Sequence, residues 1–168
     1  MARPVTLFTG QWADMELEEL ARKACEWGYD GLELACWGDH FDPERGAEDP
    51  AYCDEVKSLL DKYDLQCWAI SCHLQGQCVL DPIDERHEGI APDELSGQPE
   101  KIRQWGIDSV KNAARAAQNM GIDVVNGFTG SSIWQFVYSF PPVPPEKIEE
   151  GYELLAEYPL GMVPTTRE

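Results

Sequence analysis

Two segments of this chain repeat one pattern. Glu26-Trp27-Gly28-Tyr29-Asp30-Gly31-Leu32-Glu33 and Asn119-Met120-Gly121-Ile122-Asp123-Val124-Val125-Asn126 each read as a helix end, a stop glycine, an apolar residue, an aspartate and a strand with a polar end. Strands that alternate with helices through such short helix-to-strand turns require a parallel sheet, with right-handed crossovers all but obligatory. The pattern therefore sets the fold class as α/β.

The rest of the chain fits that alternation. Val5 to Phe8 is a short strand-like run, and Thr9-Gly10-Gln11-Trp12 is a turn. Asp14 is placed to cap a helix in which Leu17, Leu20, Ala21 and Ala24 recur at helical spacing up to Trp27, where Gly28 supplies the stop. Gly31 to Cys36 is the second strand and Trp37 to Pro50 its polar exit loop. Pro50 opens a helix with Val56, Leu59 and Leu60 as its apolar stripe, ended by Tyr63-Asp64. Gln66 to Ser71 is the third strand. A helix from Glu100 to Met120 follows, and Gly106 inside it costs about 1 kcal/mol relative to alanine. Val124 to Asn126 is the fourth strand, Gly127 to Ser132 its exit turn, and Glu146 to Glu157 a last helix after the prolines at 141, 142, 144 and 145.

Function in a parallel α/β protein collects in the loops after the strands' carboxyl ends. Ala69 to Asp84 is the stretch to watch, because the third strand discharges there into polar, His-bearing sequence with no helical pattern before about Pro99. His73 lies just past that strand end. Thr9, Glu33, His73 and Asn126 each end a strand, so all belong to one face of the sheet. Glu33 offers a carboxylate for a substrate hydroxyl or a proton, and His73 a proton donor or substrate contact. Trp12, Trp37 and Trp134 follow strands one, two and four, and their flat faces suit the C–H face of a sugar ring. Trp27, Trp68 and Trp105 read as core. His40 and His87 read as exposed loop residues, and neither Cys36 with His40 nor Cys72 with His73 makes a zinc site without two further ligands. Thr129-Gly130-Ser131-Ser132 lacks the lysine of a P-loop and reads as a plain exit turn.

Composition narrows the partners. The formal net charge of −18 repels polyanions and disfavours nucleic acid and anionic membranes, although a local cleft can still take an anion. No apolar run reaches the roughly 18 residues of a membrane span, and the start is no secretory signal, so a cytoplasmic location is expected. Six cysteines without C-x-x-C spacing are expected as reduced thiols.

On Gly28-Tyr29-Asp30-Gly31-Leu32-Glu33-Leu34, Ala69 to Leu74, Asp81 to His87 and Gly127 to Ser131, the chain resembles the amino-terminal half of a sugar phosphate isomerase/epimerase of the xylose isomerase-like TIM-barrel superfamily, which also contains endonuclease IV. The resemblance spans roughly Val5 to Glu157. It implies a partial TIM (β/α)8 barrel of about four βα units, a sugar or sugar phosphate as ligand, and metal-assisted proton transfer next to a carbonyl. Glu33 and His73 would be catalytic, with Trp12, Trp37, Asn126 and Trp134 binding substrate.

The resemblance also implies a divalent metal ion (Mn, Mg, Co or Zn) whose ligands lie on later strands than the four read here. Residues 1–157 would be the half-barrel and 158–168 a non-family tail, because Tyr158-Pro159 breaks the last helix. The chain would then be a truncated or frame-shifted fragment, inactive alone. A half-barrel binding or assembly module, pairing as a homodimer or with a complementing second half, is the alternative. An endonuclease IV-like phosphodiesterase is a further one.

Overall fold

The computed structural model describes residues 3–160. Strands β1 (Thr6–Phe8), β2 (Gly31–Ala35), β3 (Gln66–Cys72) and β4 (Val124–Gly127) form one sheet in the order β1-β2-β3-β4. β1 runs parallel to β2 and β2 to β3, with Thr6 opposite Gly31 and Gly31 opposite Gln66. The helices are α1 (Leu17–Trp27), α2 (Pro43–Glu48), α3 (Pro50–Asp61), α4 (His73–Gln77), α5 (Glu85–Glu88), α6 (Pro99–Met120) and α7 (Pro145–Leu160). Two compact units result: Met1–Cys72 with Asn112–Asn126, and His73–Lys111 with Gly127–Glu168.

The first unit holds the sheet. Leu32 and Leu34 of β2 and Ile70 of β3 turn away from Glu33 into a core shared with Leu20, Ala21 and Ala24 of α1 and Val56 and Leu60 of α3, all buried. α1 ends as the repeat requires: Gly28 adopts φ 84°, a left-handed conformation open to glycine without strain, and its N–H donates back to Ala24 and Cys25. The second unit has its own cluster of Cys78, Ala91 and Ile102, on which Ile83, Ile90, Leu95 and Trp105 pack.

Several expectations are corrected. α1 begins at Leu17 with Glu16 at its cap and no side-chain cap bond, so Asp14 does not cap it. The loop from Trp37 to Pro50 contains α2: the Asp42 carboxylate accepts from the N–H groups of Glu44 and Arg45, and Pro43 takes the first-turn position, so a cap and a proline start a helix too short to show an apolar period. For the same reason the stretch after His73 is not structureless. It carries α4 and α5, and Asp84 caps α5 in a reciprocal arrangement with His87.

α6 runs unbroken through Gly106, because a Cβ there would lie 2.7 Å from the Gln75 carbonyl oxygen and 3.0 Å from the Cys78 Cβ. The lost helix propensity is set against close packing of α6 on the segment that follows β3. α7 extends to Leu160 and so takes in Pro159. A proline in the final turn withdraws a single N–H, and helix ends vary by one or two residues. Of the expected tail, residues 161–168 lie outside the described residues.

Trp27 and Trp68 are not core: Trp27 is half exposed at the end of α1, and Trp68 lies over Gly31, with part of its ring open. Among the described residues no helix is long and apolar enough to cross a membrane.

Candidate functional site

On one face of the sheet in the first unit, Glu33 and Ser71 come together; Glu33, expected at a strand end, lies instead in the middle of β2, which runs two residues further, and Ser71 is next to last in β3. β3 carries one residue more than β2 between the Leu32–Cys67 and Glu33–Ala69 pairs, a bulge at Trp68. Past that extra residue Ala69 and Ser71 share a face with Glu33, and Ile70 and Cys72 turn into the core. The fully buried Ser71 hydroxyl then donates to Glu33 Oε1. The strand ends are braced a second time by Thr9, also fully buried, whose Oγ1 accepts from the Ala35 N–H at 2.9 Å. Ser71 was not among the residues singled out from sequence; its place on the Glu33 face depends on the register shift between β2 and β3.

The aromatic candidates divide. Trp37 meets Phe8 edge-on at 5.8 Å, and the two rings close around Gly10, so Trp37 belongs to the β1–β2 mouth beside Glu33. Trp12 packs instead on Trp27 at 6.2 Å, against α1. Asn126 sits partly buried near the end of β4.

His73 opens α4 in the second unit and stands edge-on to Phe128 at 4.7 Å. Trp134 lies half exposed in a 3-10 turn after β4.

The second unit also builds a buried polar knot that sequence reasoning missed. Asp81 accepts from Gln77 Nε2 at 2.7 Å, from the Ser131 N–H at 2.6 Å and from His87 Nε2 at 3.2 Å. The Asp84 N–H donates to His87 Nδ1 at 3.2 Å, which assigns the imidazole proton to Nε2. Arg103 donates to the carbonyls of Val79 and Asp81 at 2.5 and 2.9 Å. Gly130, at φ 64°, passes so close that a Cβ would lie 2.7 Å from Asp81 Oδ1. The knot ties the exit loop of β3 to that of β4. It consumes the Ser131 donor that an anion would need.

Both histidines read as exposed are buried, at 2% and 1%: His87 in the knot, and His40 with Nε2 3.0 Å from the Met15 carbonyl. They sit in polar sequence, but loops that pack on a sheet bury some of their polar groups if partners are at hand. His40 borders a cavity of about 500 Å3 whose walls include Glu16, Asp39, Asp42, Glu55 and Tyr52. A hydrogen bond donated to Asp39 by the protonated Glu16 carboxyl holds Glu16 above its ordinary value. Burial raises Tyr52 as well, and pushes the thiols of Cys67 and Cys78 up to about 11. Arg86 beside Asp84 holds that carboxyl well below the usual range. All six cysteines are free thiols, and Cys25 alone is exposed.

Among the described residues no three of His, Cys, Asp and Glu come together as a ligand set, and the Asp81 carboxylate is already filled by three donors. The described residues do not by themselves fit a divalent metal.

The family model described as the xylose isomerase-like TIM barrel matches residues 21–158. No curated protein matches the sequence. Among solved structures the chain is similar to the apo form of 3-keto-D-glucoside 4-epimerase, YcjR, from E. coli, at 14% identity and a TM-score of 0.57 over 94% of this chain and 49% of that one. It is also similar to D-psicose 3-epimerase crystallised in the presence of D-fructose, at 12% identity and a TM-score of 0.45 over 95% of this chain and 50% of that one. The chain thus spans about half the length of the solved structures it matches. Its four-stranded parallel sheet with alternating helices is the fold of a partial TIM barrel.

Proposed function

Because the chain belongs to the xylose isomerase-like TIM barrel family, we propose that it forms the substrate-side half of the pocket of a sugar isomerase or epimerase. The observation that carries this reading is the Glu33 carboxylate, in the middle of β2, held from the neighbouring strand by Ser71 near the carboxyl end of β3. In such a barrel the strand ends supply the catalytic groups. Glu33 accepts a sugar hydroxyl or a proton, and Ser71 fixes the oxygen it does not offer. The face of Trp37, steadied by Phe8, gives one apolar wall. His73 acts as a donor to a sugar oxygen, its ring set by Phe128. Asn126, Trp134 and Trp12 are the further substrate contacts of this reading, Trp12 packing on Trp27.

The reaction in this reading is proton transfer next to a carbonyl. A divalent metal would supply Lewis-acid polarisation of substrate oxygens, and its ligands and a second proton-moving carboxylate would come from strands of a complete eight-strand barrel other than β1 to β4.

Titration calorimetry with ketohexoses, comparing the chain with Glu33→Gln, tests the reading. Binding that weakens at least tenfold in the variant, with circular dichroism unchanged, supports it. Equal binding by both proteins, or none by either, overturns it.

An assembly role has one observation in its favour: among the described residues β1 and β4 each have a strand neighbour on one side only. A phosphodiesterase has less support, given the net charge of −18 and the engaged Ser131 N–H.

A further inference from the structure

The cavity of about 500 Å3 in the first unit lies where the exit loops of β1 and β2 meet α1 and α3. The two loops are pinned to each other: Gly38, at φ 67°, passes so close that a Cβ would lie 2.6 Å from the Ala13 carbonyl oxygen. Five carboxylates line the cavity, and three are engaged. Glu18 accepts from Lys62 Nζ at 3.4 Å and from the Tyr63 hydroxyl at 3.1 Å, Asp42 caps α2, and Glu55 pairs with Arg45 at 3.3 Å. Glu16 and Asp39 stand within hydrogen-bond reach of each other, and among the described residues neither forms an ion pair. His40 adds a directed group to the same wall. It is 1% exposed, and its Nε2 proton is spent on the carbonyl of Met15, a residue outside the wall. Its Nδ1 is buried with no hydrogen-bond partner. Buried polar atoms are nearly always paired, so a lone pair kept open beside a cavity marks the place of a donor.

We propose that this cavity binds a small organic cation through a primary ammonium group, which donates to the Glu16–Asp39 pair and to the Nδ1 lone pair of His40. The uncommitted groups of the wall are all acceptors and two are anionic, so the ligand must bring both N–H donors and positive charge. Arg45, the one cationic side chain of the wall, is held by Glu55 and lies 4.3 Å over the Tyr52 ring, which leaves an anion without a partner. A divalent metal is the poorer match, because among the described residues no three acidic, thiol or imidazole groups close on one ion. An ammonium tolerates the wider spacing, with hydrogen bonds of about 2.7–3.0 Å against about 2.0–2.6 Å for metal bonds to oxygen. Leu17, Val56 and Leu59 give its carbon chain an apolar floor. The two carboxylates crowd each other, which is why Glu16 holds its proton above the ordinary value. An ammonium does for the pair at neutral pH what that proton does in acid. The site is separate from the sugar reading at Glu33 and adds a second class of ligand to it.

The test is calorimetry on the full chain with ethanolamine, putrescine, tetramethylammonium and magnesium at constant ionic strength, with the histidine ring nitrogens followed by NMR. Ethanolamine and putrescine should bind, and the His40 Nδ1 resonance should move at saturation while Nε2 keeps its position. Affinity should fall by about tenfold or more in Asp39→Asn and in Glu16→Gln. Both carboxylates are exposed, so the variants fold. Tetramethylammonium has the charge without an N–H and should bind weaker than ethanolamine by about tenfold or more. Equal binding of tetramethylammonium overturns the proposal, since the net charge of −18 is then merely gathering cations. Magnesium bound tighter than either amine overturns it in favour of a metal site. A His40 Nδ1 resonance unmoved at saturation overturns it, as does the absence of amine binding. None of these outcomes alters the reading of Glu33, which ketohexose binding tests.

Discussion

Ser71 on β3 donates its hydroxyl proton to the Glu33 carboxylate on β2. Glu33 pairs in the sheet with Ala69, and Ser71 reaches it diagonally along the same face. Replacing Ser71 by alanine removes a bond to a charged group, and a loss of about 1–3 kcal/mol in the urea transition is expected. Ketose affinity should fall with it, since Glu33 is then free to turn. Unchanged stability and affinity would show that the hydroxyl holds nothing in place.

Asp81 binds Gln77, His87 and the Ser131 amide in one buried carboxylate. Asp81→Ala leaves all three donors without an acceptor, so a destabilisation of about 3 kcal/mol or more is expected. Hydrogen exchange reads the site directly. The Ser131 amide should lose its protection in the variant and keep it in Asp81→Asn, whose amide oxygen still accepts.

Glycine to alanine in a helix ordinarily adds up to about 1 kcal/mol. At Gly106 the sign reverses, because the new methyl would stand 2.7 Å from the Gln75 carbonyl oxygen. Gly106→Ala should lower the melting temperature, and a rise would place α6 farther from Gln75.

The hydrogen bond with Asp39 raises the Glu16 carboxyl above its ordinary 4.5. A raised acid contributes its stability below the unfolded value and loses it as pH climbs through the folded one. Glu16→Gln should therefore melt higher than the parent at pH 7, and the difference should close towards pH 4. A gap that persists at pH 4 would assign the effect to something other than ionisation.

Cys25 is the exposed thiol, and burial holds Cys67 and Cys78 protonated well beyond neutral pH. Brief iodoacetamide treatment at pH 8 should add one carbamidomethyl group to the native chain and six after denaturation, counted by intact mass.

The sequence discloses its framework through short-range signals. Gly28 and Gly121 mark helix ends because a left-handed residue is needed there, at φ 84° and 73°, and the strands follow within three residues. α2, α4 and α5 stay hidden because helices of four to six residues leave no period to read. The burial of His40 and His87 depends on acceptors 25 and 6 residues away, a long-range fact that composition does not carry. Glu33 is legible as a strand residue but not as the mid-strand residue it is, since β2 continues to Ala35, and its partner Ser71 is not legible at all. Trp68 breaks the alternation that a reader of β3 would apply.

That break has a consequence of its own. Had β3 kept step with β2, Trp68 would oppose Glu33, Ile70 would take the inner face, and Ser71 would point into the core. The polar mouth of this half-barrel is thus fixed by a residue count, and the identities of Ser71 and Ile70 only exploit it. In evolutionary terms, gaining or losing one codon in the short run before Ala69 acts as a phase switch. A lineage can exchange the whole set of β3 side chains that faces Glu33 in a single step, where point substitutions change one side chain at a time.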